Sequence, residues 1–261
     1  MKSYTGVEYA NVRKEDIPLN FINGVAQTEI LSGCLPNVKT YRGVIKAGAS
    51  LTMQNNPRIL SSYILQEGRG FVETSEHVYE INELSFFFAS LEEPVTFKAF
   101  AGDDLVFTRF DLTLSDYDLQ RYDMSHLVLP LFRKESDCLI YTQNVKKTKT
   151  GTVQRSVTVG KQMIRIVMGS NHASEGSGFY EIGHAAVAQY NICHSNCDFI
   201  MEVNGHKFEQ KAGDVCYIQA GLPHGSTVGK GQHLDYVYYE VYVQEKDFLK
   251  VFPEGPFEDK K

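Results

Sequence analysis

Phe199-Ile200-Met201-Glu202-Val203-Asn204-Gly205-His206-Lys207-Phe208-Glu209-Gln210 alternates apolar and polar residues on either side of an Asn-Gly pair. That pattern predicts two half-buried strands joined by a tight hairpin. Gly213-Asp214 then leads into Val215-Cys216-Tyr217-Ile218, and Ala220-Gly221-Leu222-Pro223-His224 closes the stretch. The same order stands earlier in the chain. Phe71-Val72-Glu73-Thr74, the turn Ser75-Glu76-His77, Val78-Tyr79-Glu80-Ile81 and Ser85-Phe86-Phe87-Phe88 repeat it. Tyr79-Glu80 falls on Phe208-Glu209 and Phe86–Phe88 on Cys216–Ile218, an offset of about 129 with a one-residue slip. Each copy ends in a long strand, Asp104–Leu112 or Tyr236–Val243, so the pattern reads as a duplicated unit.

Elsewhere the chain also reads as short β segments, at Ser85–Ala89, Val95–Phe100, Met163–Met168 and Asp214–Gln219. One helical turn is expected over Ser115–Tyr122. The fold class is therefore all-β. The 261 residues are 43% hydrophobic and 22% charged, with 16 Phe and 15 Tyr, enough apolar volume for two cores. A net charge of −6 argues against nucleic acid as a partner. No apolar run is long enough for a membrane span, and the N-terminus has no apolar stretch after Lys2. With five cysteines, an odd number at low density, free thiols in a reducing cytoplasm are expected. Cys193-His194-Ser195-Asn196-Cys197, even with Cys216, is a weak zinc pattern and reads as unligated thiols. Lys146, Lys147 and Lys149 read as a solvated loop, and Phe252–Phe257 as a loosely held end.

The run Gly213–His224 resembles the second motif of the cupin superfamily, in which an Ala-Gly-x-Pro-His turn presents a metal-binding imidazole inside a small β-barrel. With the repeat, the resemblance implies a bicupin: two cupin-like (double-stranded β-helix, or jelly-roll) barrels in tandem. Residues 1–120 form a metal-free N-terminal barrel, 121–151 a connector, and 152–261 a C-terminal barrel with the candidate site. The family's first motif, His-x-His with a following Glu, falls on Gly183–Tyr190. The expected metal ligands are His184, His224, Gln189 and Glu181, with Glu181 and Tyr190 as candidate catalytic groups. Strand alternation sends His184 and Ala186 into the barrel, and Ala185, Ala186 and Ala188 leave room for a ligand. Each of these residues also has an ordinary reading: Glu181 as a solvated strand-end carboxylate, His184 and His224 as hydrogen-bonded barrel histidines, and Gln189 and Tyr190 as strand residues. The first copy has Glu93-Pro94-Val95 where His224 would fall, and Met53–Pro57 offers no imidazole opposite His184.

Such N/O donors suit a divalent ion, Mn first, with Fe, Ni or Zn as alternatives. The bicupin layout resembles ureidoglycine aminohydrolases, manganese enzymes that release ammonia from ureidoglycine. The resemblance implies a hydrolase with a small polar substrate and a homo-oligomeric assembly. In that family a Glu and two His come from the first motif and a Gln from the second. Here His184 falls near the Glu position, Ala186 and Tyr190 on the two His positions, and His224 beyond the Gln. Two alternatives stand beside it. One is a keto-sugar or uronate isomerase with Glu181 as base; the other is a metal-free small-molecule-binding bicupin.

Overall fold

Asn204 and Gly205 both adopt left-handed backbone, at φ 48° and 80°, which matches the twist of the strands they join. This hairpin belongs to the second of two units of one chain; the computed structural model describes residues 2–123, 127–141, 152–158, 164–244 and 246. The expected strand start at Met163, the lysines at 146, 147 and 149 and the tail 252–257 lie outside the described residues. The first unit comprises Met1–Thr5, Glu15–Leu119 and Val128–Asp137; the second comprises Gly6–Lys14, Gln120–Leu127 and the chain from Cys138 onward.

The chain opens with strand β1 (Tyr9–Val12). There follow β2 (Val25–Ile30), β3 (Val38–Ile45), β4 (Ser50–Met53), β5 (Ile59–Glu67), β6 (Gly70–Glu73) and β7 (Val78–Ile81). Next come β8 (Ser85–Phe88), β9 (Val95–Ala99), β10 (Leu105–Thr113), helix α1 (Asp116–Asp123) and β11 (Leu131–Lys134). These strands, β1 excepted, make two sheets, ordered β11-β8-β5-β10-β3-β2 and β4-β9-β6-β7.

The second unit has β12 (Leu139–Tyr141), β13 (Thr152–Ser156), β14 (Ile166–Ala173), β15 (Gly178–Glu181) and β16 (Val187–Cys193). It continues with β17 (Asp198–Val203), β18 (His206–Lys211), β19 (Val215–Ile218), β20 (His224–Thr227) and β21 (Leu234–Tyr242). Its sheets run β1-β19-β16-β21-β14-β13-β12 and β15-β20-β17-β18. Over β8-β5-β10-β3-β2 and β19-β16-β21-β14-β13 the two orders are the same; the edge strands differ, β11 coming after its barrel strands in the chain, β1 before, and β12 being extra in the second unit. The repeat read from the sequence is therefore a repeat of topology. Helix α1 falls on the turn expected over Ser115–Tyr122, and the segment read as a connector carries two strands, β11 pairing with β8 and β12 with β13.

Each unit encloses its own core. In the first, Tyr63, Phe87, Phe97 and Phe107 cluster with ring centroids 4.5–6.1 Å apart. In the second, Phe179, Phe199, Met201, Cys216, Ile218 and Tyr236 fill the interior. Burying such side chains supplies roughly 1.5–3 kcal/mol apiece. Asp214, the acid of the Gly-Asp pair, is structural: its two carboxylate oxygens accept from the backbone N–H groups of Lys14 (3.0 Å) and Lys211 (3.1 Å). It ties the end of β1 to the turn before β19.

Candidate functional site

Strand register brings the acidic and imidazole groups to one end of the second barrel. Glu181, the last residue of β15, lies opposite His224, the first of β20. Gln189 on β16 lies opposite Glu240 on β21, and Asn191 opposite Tyr238. Cys193, Tyr236 and Tyr238 are in the core cluster, so alternation turns Gln189, Asn191 and Glu240 to the same interior face. His184 arrives from the loop between β15 and β16. Its carbonyl accepts from the N–H groups of Val187 (3.2 Å) and Gly221 (2.8 Å). Gly183 makes this path possible: its φ is +95°, and a Cβ there would meet the Leu222 carbonyl oxygen at 2.5 Å.

The side chains meet as a chain of contacts. Nε2 of His184 touches Oε2 of Glu181, and its Nδ1 lies 3.9 Å from Oε1 of Glu240. The rings of His184 and His224 have centroids 5.8 Å apart, crossing at 67°. Nδ1 of His224 is 3.0 Å from the Leu222 carbonyl, which can only accept, so this nitrogen carries the proton. Glu181 and Glu240 are both buried, which excludes the solvated reading of Glu181. Two buried amide pairs also lie in this sheet: Gln189 Nε2, level with Glu240, donates to Asn191 Oδ1 (2.7 Å), and farther along Gln154 Nε2 donates to Asn171 Oδ1 (2.9 Å).

The carboxylates set the field around them. Burial first, then the Glu181 and Glu240 charges, push the Tyr236 hydroxyl well above its ordinary range, against a hydrogen bond with Asn171. Burial and then Glu240 push Tyr242 up to about 12. Tyr238 is also raised, by burial, Tyr141 and Glu240.

Glu181, His184 and His224 are thus brought together as the sequence suggests, and Gln189 lines the same interior. Tyr190 does not join them: it sits on the opposite face of β16, buried against Tyr217 (5.1 Å) and Tyr239 (6.4 Å). Ala188 shares that face, and His184 and Ala186 precede the strand, so alternation between those two does not apply. Glu240 escaped the sequence reading; the signal was an acid at an interior position of a strand otherwise rich in Tyr and Val. Of the donors expected to ligate a metal, Glu181 and His184 contact each other, while Gln189 donates to Asn191 and His224 to the Leu222 carbonyl. Among the described residues no group of three or more His, Cys, Asp or Glu side chains is arranged to hold an ion.

The thiols are no better placed as ligands. All five cysteines are free and buried. Burial first, and then Cys197, push the Cys193 thiol far up, which keeps it protonated. A depression of about 530 Å³ opens at the other end of the long sheet, lined by His172, Asn196, His233 and Asp235 among others. Its main polar feature is the His172–Asp235 pair at 3.0 Å, and none of the groups above reaches it.

The corresponding corner of the first barrel is filled. Val95 lies opposite Met53 as His224 lies opposite Glu181. Asp111 faces Ser61 as Glu240 faces Gln189, and Arg109 faces Tyr63 as Tyr238 faces Asn191. Arg109 is buried there, with Nε 3.2 Å from Asp111 and Nη1 donating to Gln27 (2.9 Å) and to the Met53 sulfur (3.5 Å). Its guanidinium lies 4.1 Å over the Tyr41 ring. An arginine plugs the position that is a polar site in the other copy.

No family model and no curated protein matches the sequence. Solved structures do match. A Pseudomonas aeruginosa protein described as glyoxylate-induced aligns at TM-score 0.72 and 14% identity, over 91% of this chain and 89% of its own. The Escherichia coli protein Ylba aligns at 0.69 and 11%, over 91% and 92%. A mutant of Bacillus subtilis oxalate decarboxylase aligns at 0.67 and 12%, over 97% and 85%. These are cupin-fold proteins matched along almost their whole length, and the chain has their fold: two cupin barrels in tandem.

Proposed function

We propose that the second barrel binds a small polar metabolite and moves a proton on it, while the first serves as a structural partner. The observation that carries this reading is the contact of Glu181 with Nε2 of His184. A buried carboxylate on one imidazole nitrogen fixes the tautomer and ring orientation and stabilises the imidazolium. Nδ1 is then the nitrogen that takes a proton, and it faces Glu240 and the barrel interior. His224, with its proton on Nδ1, has Nε2 as an acceptor when neutral, and its ring lies 5.8 Å from that of His184. The chemistry this supports is isomerisation or elimination by general acid–base catalysis. Ureidoglycine hydrolysis with manganese has less support, because Ala186 and Tyr190 stand where that family has its two His ligands and Glu181 is engaged with His184.

Metal analysis of the purified protein tests the reading, together with turnover of a metabolite panel by His184→Ala. The expected result is no stoichiometric Mn, Fe, Ni or Zn, and a loss of turnover of about 10²–10⁴-fold with ligand binding retained. Stoichiometric metal that disappears in both Glu181→Gln and His224→Ala would replace it with a metal centre.

A further inference from the structure

We propose that the chain's own segment 248–252 docks on the exposed apolar loop 182–186 and covers the side from which His184 meets solvent. An uncovered apolar surface and the point where the chain leaves the second barrel coincide there. That the covered groups form a working site rests on the reading above; the docking does not.

Ile182 is 84% exposed, the most exposed large apolar side chain among the described residues. Tyr180, two residues earlier on β15, is 48% exposed, and β15 is an edge strand of its sheet. Ala185 is exposed as well, and the loop 182–186 contains no Lys, Arg, Asp or Glu. The His184 side chain is 34% exposed against 6% for Glu181, so the imidazole is the group that solvent reaches. Scattered exposed apolar residues need no explanation, but these lie together beside that imidazole.

The last strand ends against the same loop. Tyr242 lies opposite Val187, and the Val243 N–H donates to the Ala186 carbonyl (3.0 Å). Buried Arg165 donates through Nη1 to the carbonyls of Tyr242 (3.2 Å) and Val243 (3.4 Å), which pins the departure point. The sequence then runs Lys246-Asp247-Phe248-Leu249-Lys250-Val251-Phe252-Pro253, and residues from 247 onward lie outside the described residues. Phe248 and Phe252 can reach up to about 17 and 30 Å from Val243, while Ile182 and Ala186 are at most about 14 Å apart. The apolar run is therefore long enough to lie along the whole loop. Such a tether holds it at an effective concentration on the order of millimolar, so a small contact suffices. A separate partner takes about 800 Å² on each side, more than two apolar side chains and a few alanines supply.

The chain has no Trp, so Ile182→Trp places a single indole in the loop. Its emission maximum and its quenching by acrylamide are compared in the full chain with and without Phe248→Ser, Leu249→Ser and Phe252→Ser combined. The expected result is blue-shifted, weakly quenched emission that moves to the red, with stronger quenching, in the serine variant. Equal emission and quenching overturn the proposal. Because the indole itself alters the contact, hydrogen exchange is also followed with Ile182 intact. Amides of residues 182–186 are expected to exchange about tenfold faster in the triple variant at unchanged Tm. Unchanged exchange overturns the proposal, and so does protection that is lost on dilution, which names a second copy as the occupant. Docking found together with turnover indifferent to His184→Ala leaves this proposal standing and removes the proton-transfer reading.

Discussion

Arg109 and Tyr238 occupy the same position in the two ladders, each facing the residue of its neighbouring strand that lines the barrel, Tyr63 in one and Asn191 in the other. With the exchanges of Met53 for Glu181 and Val95 for His224, this difference separates a filled corner in one barrel from a polar one in the other. The cation in the first barrel is matched by Asp111, and the acid at the equivalent place in the second, Glu240, is left to His184 and the tyrosines.

Arg109→Ala is expected to destabilise the first barrel by up to about 3 kcal/mol, because it leaves the partly buried Asp111 carboxylate to Ser61 and Lys39 alone. Replacing both, as Arg109→Met with Asp111→Leu, is expected to cost far less, since an apolar pair removes the need for desolvation. Urea unfolding of the wild type and of both variants checks this. Equal losses for the two variants would mean that the pair is not what the barrel depends on.

Alkaline pH is expected to unfold the second barrel through its tyrosines. Tyr242 is raised to about 12 by burial and by Glu240, from an ordinary value near 10. A raised value means that its contribution is fully present below about 10 and is lost as pH climbs from there through about 12. Tyrosinate absorbance and circular dichroism should therefore change together in that window, and Tyr242→Phe should shift the loss upward. Ionisation of the buried tyrosines ahead of unfolding would contradict the assignment.

The thiols are expected to be silent in the native state. Burial raises the Cys34 thiol to about 12, and all five cysteines are buried. Ellman's reagent at neutral pH should detect fewer than about one thiol per chain, and five after denaturation. Rapid native labelling of Cys193 or Cys197 would show that the barrel opens there.

Gly183→Ala is expected to cost about 1–2 kcal/mol from the left-handed backbone alone. More is lost by the clash with Leu222, and any activity that depends on His184 should fall further than stability does. Unfolding and turnover of the same variant separate the two. A variant with wild-type turnover would show that the loop path does not set the imidazole.

Much of this was legible in the residues. The Asn-Gly turn and the strict alternation around it fix strand, hairpin and facing, and the offset between Tyr79 and Phe208 reveals the second barrel. His224 could be named because the turn that presents it has a recognisable form. Other parts were hidden for physical reasons. β11 and β12 are too short to show a period, and β1 is only four residues long, with its partner far away in the chain. Tyr190 and Gln189 are neighbours in sequence, and only the parity of β16, seen from Cys193, tells which one faces inward. Glu240 looked like one charge in a strand because its meaning depends on His184, which lies in a loop.

Strand β1 has a consequence for how the protein is made. It is made before the strands of the first barrel, yet it pairs with β19, and the Lys14 backbone bonds Asp214 across a separation of 200 residues. Strand β1 can be set in place only after the roughly 200 residues between it and β19 have been made, so completion of the second sheet waits on a contact of very long sequence separation. The two halves of the gene cannot be cut apart at the repeat boundary without leaving β19 with a bare edge.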